Sequence, residues 1–203
     1  MKKKEKKNNK RVFRFFKRIF DIFFSLFMIL FCFIFLWWWI FIINLFATKG
    51  HPFFNPKRLG KNKKVFRMFK FRSMKKTAPV IPPYEMTEEQ LKSYETKFGR
   101  FLRKTSLDET LQFFNVLFGQ MSIVGPRPGA YENEEMLVKA RESYVPSAFD
   151  VKPGITGYSQ VYMKRQHDVM SKAWFDSEYV KIMNPWIDFK IIIHTFLFIF
   201  KGK

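Results

Sequence analysis

An uninterrupted apolar run with positive charge on both sides is the feature that most constrains this chain. Ile22 to Ile43 is about 22 residues long, which at about 1.5 Å per helical residue is enough to cross a bilayer. Ser25 is its one polar residue. A signal peptide is not expected, because the run is too long and no small-residue cleavage site follows it. Hydropathy alone therefore predicts a single transmembrane helix.

The charges on the two flanks favour a different geometry. Lys and Arg mark the cytoplasmic side of a membrane segment, and here both flanks are basic. The basic residues are Lys2, Lys3, Lys4, Lys6, Lys7, Lys10, Arg11, Arg14, Lys17 and Arg18 before the run, and Lys49, Lys57, Arg58, Lys61, Lys63, Lys64, Arg67, Lys70 and Arg72 after it. A helix that enters one leaflet, bends and returns satisfies both flanks. The sequence therefore predicts a re-entrant anchor.

The tryptophan triplet Trp37–Trp39 supports a bend near Cys32–Phe35, which would return these rings to the headgroup region where tryptophan is enriched. No proline or glycine marks the bend. Three segments are predicted: a basic tail that enters the interface (residues 1–18), the hydrophobic anchor (19–48) and a domain on the cytoplasmic face (49–203).

The net charge of +20, from 37 Lys and Arg against 17 Asp and Glu, implies an anionic partner. Nucleic acid, an anionic lipid surface and a phosphorylated substrate all qualify, but a continuous phenylalanine-rich block favours the membrane surface. The single cysteine, Cys32, excludes an internal disulfide and a cysteine metal cluster. The three histidines have no ligand spacing. A hard cation such as Mg²⁺, held by carboxylate and phosphate oxygens, remains compatible with the sequence.

Basic and apolar residues alternate through Phe53–Met74, most clearly in Val65–Arg72. This pattern predicts either a half-buried strand with a solvated basic face or a cationic wall for phosphates, and both interpretations stay open. Further on, Thr87 and Gln90 have the spacing of a capping box at the start of a polar surface helix.

An acidic pair, Asp108–Glu109, stands out in the otherwise basic stretch around it. Ser106 and Glu109 have capping-box spacing, so helix capping alone accounts for Glu109. Asp108, Gln112 and Asn115 form a polar stripe at i, i+4 and i+7, so Asp108 is expected to head a hydrogen-bonding helix face. At a helix N-terminus its carboxylate is expected to stay ionised, as a nucleophile or Mg²⁺ ligand requires.

This helix is predicted to end at Gly119. A short strand is predicted at Ile123–Val124, and it leads to Pro126–Pro128. Two prolines restrict the backbone around Arg127, which lowers the entropy cost of presenting its guanidinium to a phosphate. A rigid turn with an exposed arginine explains the same pattern. The two interpretations are left open at this point.

The segment Lys152–Gly157 is predicted to be a tight Pro-Gly turn whose small residues allow close approach of a ligand. A strand is predicted at Tyr158–Val161. A helix is predicted at Trp174–Val180. Pro185–Phe200 is too short in its apolar part to span a membrane and is predicted to be an amphipathic interfacial helix.

Several motifs in the same order resemble those of the bacterial sugar transferases, the small monotopic phosphoglycosyl transferases that start polyprenyl-diphosphate-linked glycan assembly. The matching pieces are Lys17–Asp21, Arg58 and Gly60, Phe69–Met74, Arg103–Asn115, Met121–Pro128, Pro153–Val161 and Tyr179–Val180. This resemblance spans nearly the whole chain.

The resemblance implies transfer of a sugar-1-phosphate from a UDP-sugar to undecaprenyl phosphate, with Mg²⁺ and release of UMP. It implies that Asp108 attacks the sugar-linked phosphate and forms a covalent intermediate, and that Asp108 is the metal ligand. Glu109 would support metal and geometry, Arg103 would meet the lipid phosphate and Arg127 would hold substrate phosphate. The implied substrate-binding set is Arg58, Lys70, Arg72, Arg103, Gln112, Arg127, Gly154, Thr156 and Gln160.

The fold class expected from these patterns and this resemblance is α+β and mostly helical, with a re-entrant N-terminal helix, amphipathic interfacial helices and a small cytoplasmic catalytic domain. The expected location is the bacterial cytoplasmic membrane, against an anionic lipid surface. No nucleic acid is expected, and a homo-oligomer is compatible with the sequence. The start of capsule, exopolysaccharide or glycoconjugate assembly is the expected pathway step.

The chain departs from the family pattern at two places. The family commonly breaks its re-entrant helix at a Ser-Pro pair, where this chain has Cys32–Phe33, and often has Asp where this chain has Gln120. Two alternatives follow: a non-catalytic, membrane-tethered basic module that binds anionic lipid or nucleic acid, and an inactive family member that acts as a scaffold. The intact acidic pair and Arg127 argue against both.

Overall fold

The computed structural model describes residues 2–48, 50–79, 86–130, 135–163 and 168–201. Helices predominate, as predicted. They are α1 (Lys2–Cys32), α2 (Trp38–Ala47), α3 (Glu88–Tyr94), α4 (Lys97–Lys104), α5 (Gln112–Leu117), α6 (Glu135–Glu142), α7 (Tyr158–Tyr162), α8 (Val169–Ile182) and α9 (Pro185–Lys201). Short strands complete the fold: β1 (Phe53–Phe54), β2 (Lys57–Leu59), β3 (Val65–Arg67), β4 (Lys70–Phe71), β5 (Ser122–Val124), β6 (Gly129–Ala130) and β7 (Gly154–Thr156).

The strands form three small sheets. β1 pairs with β4 and β2 pairs with both β3 and β6, all antiparallel, whereas β5 and β7 are parallel. Within β3, Phe66 is buried between exposed neighbours, so the half-buried strand predicted from alternation is confirmed there. The Thr87 capping box with Gln90 is also confirmed at the start of α3.

The apolar run is one helical segment in which a π-helical turn, Phe33–Trp37, joins α1 to α2. The part from Lys10 to Ala47 is long and apolar enough to cross a membrane. The π-helical turn begins within the predicted bend region and needs no proline or glycine. Cys32 and Trp37 are both buried, and the wider repeat of a π turn keeps residues five apart on the same helix face.

One face of this segment packs on the rest of the protein. Its buried residues are Asp21, Ser25, Cys32, Trp37, Ile40, Asn44 and Thr48. The other face is apolar and exposed, and includes Phe23, Phe27, Leu30, Phe35, Trp39, Ile42 and Phe46. An exposed apolar surface of this extent is typical of contact with lipid or another protein.

Basic residues of α1 hold the segment to the domain by capping other helices. Lys10 Nζ donates to two carbonyls in the last turn of α8, at 3.1 and 3.3 Å. Arg18 donates to the carbonyls of Val116 and Leu117 at the end of α5, at 2.6 and 2.9 Å. Both cations lie where the helix dipole is negative and carbonyls lack helical partners. Part of the predicted basic tail therefore makes internal contacts.

Two carboxylates complete this attachment. The buried Asp21 accepts a hydrogen bond at 3.0 Å from the backbone N–H of Ile123 in β5. Asp188, in the first turn of α9, lies 2.6 Å from Lys17 Nζ and accepts a hydrogen bond from Tyr179 at 2.7 Å. Burial is the main reason that the pKa of Asp188 is raised, and Lys17 opposes that shift.

The structure corrects the prediction for residues 152–161. Gly154–Thr156 is strand β7 rather than a turn, and Tyr158–Val161 lies in helix α7 rather than in a strand. A Cβ on Gly154 would lie 2.1 Å from the backbone nitrogen of Gly125, so close packing of two chain segments requires glycine there. After β7 the aromatic residues turn into α7, because Tyr158 packs against Phe175 of α8.

The expected capping box at Ser106 is wrong. Ser106 has φ of 57° and its side chain caps nothing. The chain passes from α4 into a tight 3-10 turn, Leu107–Glu109, and α5 begins only at Gln112.

Other local predictions are confirmed. The helix ends at a glycine as predicted, since Gly119 follows α5 with φ of 80°. Helices are also confirmed at α8 and α9, and the strand at β5. Residues 77–83, whose three prolines predict a loop, lie partly outside the described residues.

Candidate functional site

Asp108 lies in the 3-10 turn and is almost completely buried, with 3% of its surface exposed. Lys70 Nζ, at the start of β4, lies 3.5 Å from Asp108 Oδ2. Burial raises the pKa of Asp108, and the charge of Lys70 opposes this shift. This direction is opposite to the one expected from a helix N-terminus, because burial outweighs the neighbouring cations. Lys70 therefore favours the ionised form of Asp108.

Glu109 and Arg127 form a bidentate ion pair beside Asp108. Arg127 Nη1 and Nη2 lie 3.2 and 2.5 Å from the two Glu109 carboxylate oxygens. Glu109 also raises the pKa of Asp108, and Arg127 lowers it. The Pro126–Pro128 turn thus presents its arginine to the acidic pair. A fork of this kind also matches the oxygens of a phosphate.

The predicted polar stripe faces the protein interior. Asn115 accepts a hydrogen bond from Phe69 N–H and donates one to Arg67 O, both at 2.8 Å. Because these bonds hold the chain on either side of Met68, they place Lys70 beside Asp108. Gln112 is buried and its Nε2 has no hydrogen-bond partner in the part of the chain that the structure describes. A donor of this kind is available to a bound anion.

Two predicted cationic residues have protein partners away from Asp108. Arg72 donates to the carbonyls of His51 and Phe53, at 2.9 and 3.3 Å. Arg103 pairs with Glu95, which also binds Arg100. Arg58 lies in β2, opposite Phe66 of β3 and Ala130 of β6. Their roles in substrate binding stay predictions.

Of the three predicted residues after Pro153, Gly154 contacts the arginine turn, Pro126–Pro128, directly. Gly154 N–H donates to Pro126 O at 2.9 Å. The Thr156 hydroxyl lies 2.6 Å from that of Thr195 in α9. Gln160 donates to Ile155 O at 3.3 Å and its buried Oε1 has no hydrogen-bond partner in the described structure. The close backbone approach expected at Gly154 is made to Gly125, and ligand contact stays a prediction.

Sequence reasoning missed two contributions. Trp37, in the middle of the apolar run, donates from Nε1 to Thr110 Oγ1 at 3.0 Å, one residue after the acidic pair. Arg141 and Asp176 form a buried ion pair behind the arginine turn. The sequence gives no signal that Arg141 and Asp176 are buried, because each is one charged residue in a helix of mixed composition.

The side chains around Asp108 supply only some of the oxygen ligands that a hard cation such as Mg²⁺ needs. No group of three His, Cys, Asp or Glu side chains converges within the described ranges. Mg²⁺ is often held by one or two carboxylates together with substrate phosphates. Asp108 and Glu109 supply carboxylates of this kind, so these residues fit an ion that arrives with a diphosphate.

A buried carboxylate whose pKa is raised by burial and lowered by a neighbouring cation is a candidate functional site. The chain belongs to the bacterial sugar transferase family, whose sequence profile matches residues 12–202. The resemblance found in its motifs is thereby confirmed.

The chain is also similar to curated proteins that are named as sugar-phosphate transferases. The chain is 40% identical over 161 residues to the UDP-glucose:undecaprenyl-phosphate glucose-1-phosphate transferase of Klebsiella pneumoniae, covering 77% of this chain and 33% of that protein. It is 35% identical over 202 residues to the undecaprenyl-phosphate galactose phosphotransferase of Salmonella typhimurium (strain LT2), covering 92% and 40%. The chain thus spans less than half the length of these two relatives.

Proposed function

We propose that the protein transfers a sugar-1-phosphate from a UDP-sugar to undecaprenyl phosphate and releases UMP. The observation that carries this proposal is the buried Asp108 carboxylate between Lys70 and the Glu109–Arg127 pair. A non-catalytic basic module has no need for a buried carboxylate whose charge is opposed by burial. Relatives named for glucose and galactose transfer support the substrate class, without deciding the sugar.

In the proposed first step, an Asp108 oxygen attacks the sugar-linked phosphorus of the UDP-sugar. The bond from that phosphorus to the bridging oxygen breaks, and UMP leaves with the bridging oxygen. In the second step, a phosphate oxygen of undecaprenyl phosphate attacks the same phosphorus, and the Asp108 carboxylate is released. Lys70 favours the ionised nucleophile, and Arg127 orients substrate phosphate oxygens through its planar fork.

We propose that Asp108, with Glu109 beside it, holds Mg²⁺ together with the substrate diphosphate. The ion would neutralise the charge on the departing UMP. Gln112 Nε2, buried and without a hydrogen-bond partner in the described structure, would donate to a phosphate oxygen.

The proposed function is tested by UMP release from the purified full-length chain in detergent or nanodiscs, with undecaprenyl phosphate and a panel of UDP-sugars. We expect release with at least one UDP-sugar, dependent on both Mg²⁺ and the lipid for multiple turnovers. Absence of UMP with every sugar, while a purified curated relative is active in the same assay, would reject the function.

We propose further that the anchor enters and leaves the membrane on one side. The domain contacts the helical segment from Lys10 to Asn44, a path of about 50 Å at 1.5 Å per residue. A hydrocarbon core is only about 30 Å thick. A spanning helix would therefore carry domain contacts such as the Arg18 and Asp188 charges into the bilayer. A helix that lies along the domain, with its apolar face toward lipid, avoids that cost.

Cysteine labelling tests this topology in inverted membrane vesicles and in spheroplasts. The variants are Arg11→Cys and Lys64→Cys, two exposed positions on either side of the anchor, each in a Cys32→Ala background. We expect a membrane-impermeant maleimide to label both from the cytoplasmic side and neither from outside. Permeabilised membranes provide the control for reactivity. Labelling of the two positions from opposite sides would show a spanning helix instead.

A further inference from the structure

The arginine turn Pro126–Pro128 is held from behind by a buried ion pair. Arg141 of α6 is 2% exposed and Asp176 of α8 is fully buried. Arg141 Nε and Nη2 lie 3.0 and 2.5 Å from Asp176 Oδ2, and Ser159 donates to Asp176 Oδ1 at 2.8 Å. The same Nη2 donates to the backbone carbonyl of Arg127 at 2.8 Å. One guanidinium therefore joins α8 to the arginine turn.

The hydrogen bond to Arg127 O restricts a torsion that the prolines leave adjustable. Pro126 and Pro128 have fixed φ values, and a residue before proline is limited to extended ψ but can still vary within that region. The direction of the Arg127 carbonyl is set by its ψ angle. Gly125 N–H donates to Thr156 O at 2.9 Å, so the start of the turn is held separately. Arg141 is thus the contact that sets the peptide plane after Arg127.

A buried ion pair is a costly way to hold two helices together. Desolvation of both charges offsets most of their attraction, and apolar residues of similar size often give equal or greater stability. Here the pair also holds a hydrogen-bond donor, Arg141 Nη2, against the arginine turn, which apolar residues cannot do. Lysine lacks the planar fork needed to serve Asp176 and Arg127 O together.

We propose that Arg141 is a positioning residue that acts through Arg127, held in place by Asp176. It keeps the Arg127 guanidinium where it meets Glu109 and a substrate phosphate. The kinetic part of this inference rests on the proposed function, whereas the structural part does not.

The test compares Arg141→Lys with Ser177→Ala in the full-length protein. Ser177 is a matched control, because it is buried in α8 next to Asp176 and donates to Pro146 O at 2.8 Å without contacting the arginine turn. We expect Arg141→Lys to lower kcat/KM about 10- to 100-fold, since small misplacements of a catalytic group have effects of this size. Ser177→Ala should change kcat/KM less than about 2-fold, although it too removes a buried hydrogen bond of α8.

A double-mutant cycle distinguishes positioning from general destabilisation. In an Arg127→Ala background, Arg141→Lys should lower kcat/KM by less than about 2-fold further, because the residue it positions is gone. An undiminished further loss, or an equal loss in Ser177→Ala, would overturn the inference.

Hydrogen exchange gives a result that does not depend on activity. We expect the backbone amides of Arg127 and Gly129 to exchange faster in Arg141→Lys than in wild type, and at the wild-type rate in Ser177→Ala. The amide of Gly125, which is held by Thr156 O, should exchange at the wild-type rate in both variants. Unchanged exchange in Arg141→Lys would overturn the inference even if activity fell. If wild-type protein released no UMP while the exchange result held, the proposed function would fail and the positioning of Arg127 would stand.

Discussion

Replacing Asp108 with asparagine is expected to lower UMP release at least about 10³-fold, because the amide keeps the shape of the side chain and removes the nucleophilic oxygen anion. Mass spectrometry of the wild-type chain, mixed with a UDP-sugar and Mg²⁺ but no lipid acceptor, should detect an adduct of one sugar phosphate. The Asp108→Asn variant should show none.

The same change should not unfold the protein. Asp108 is buried and burial raises its pKa, so a neutral side chain there removes a desolvation cost. Asp168→Asn is the matched control, because Asp168 caps α8 at the surface and asparagine is also a good cap. Turnover by Asp108→Asn at more than a tenth of the wild-type rate would exclude the covalent mechanism.

Replacing Lys70 with methionine is expected to lower kcat/KM about 10²-fold at neutral pH, the scale observed when one preorganised charge-stabilising group is removed. Lys70 lowers the pKa of Asp108 against burial. Its loss therefore raises that pKa, and a larger share of Asp108 is protonated at a given pH. The acid limb of the kcat/KM profile should move to higher pH, so activity should recover partly as pH rises.

Two variants separate this effect from a change in overall charge. Lys70→Arg keeps a cation beside Asp108 and should leave the acid limb near its wild-type position. Lys63→Met removes an exposed lysine that pairs with Glu142 at the surface and should leave kcat/KM within about 2-fold. An unshifted acid limb in Lys70→Met would mean that Lys70 does not control the ionisation of Asp108.

Much of the local structure is predictable from this sequence, because it depends on neighbours in the chain. Thr87 and Gln90 cap α3 as their spacing predicts, and Gly119 follows α5. Two segments are mispredicted. Ser106 adopts a left-handed conformation where α4 meets the 3-10 turn, so no capped helix begins there. In α7 the ring of Tyr158 packs on Phe175 of α8 and that of Tyr162 on His194 of α9, and these tertiary contacts outweigh the weak local preference for a strand.

The candidate site is predictable as a set of residue types rather than as an arrangement. Helical periodicity identifies Asp108 as part of a polar face, and the two prolines single out Arg127. Periodicity does not show that this polar face turns inward or that Asp108 is buried. It therefore does not predict that the pKa of Asp108 is raised, because a desolvation cost depends on what the rest of the chain places around the carboxylate.

The sequence by itself determined a long apolar segment with basic flanks, an acidic pair in a basic domain and a proline-restricted arginine. Only the tertiary structure decided which cation faces Asp108. Lys70 and Arg72 are two residues apart, yet Lys70 lies beside Asp108 and Arg72 binds the carbonyls of His51 and Phe53. The position of Lys70 depends on the hydrogen bonds of Asn115 to the backbone of Arg67 and Phe69, which join segments far apart in sequence. Local periodicity carries no information about such a contact.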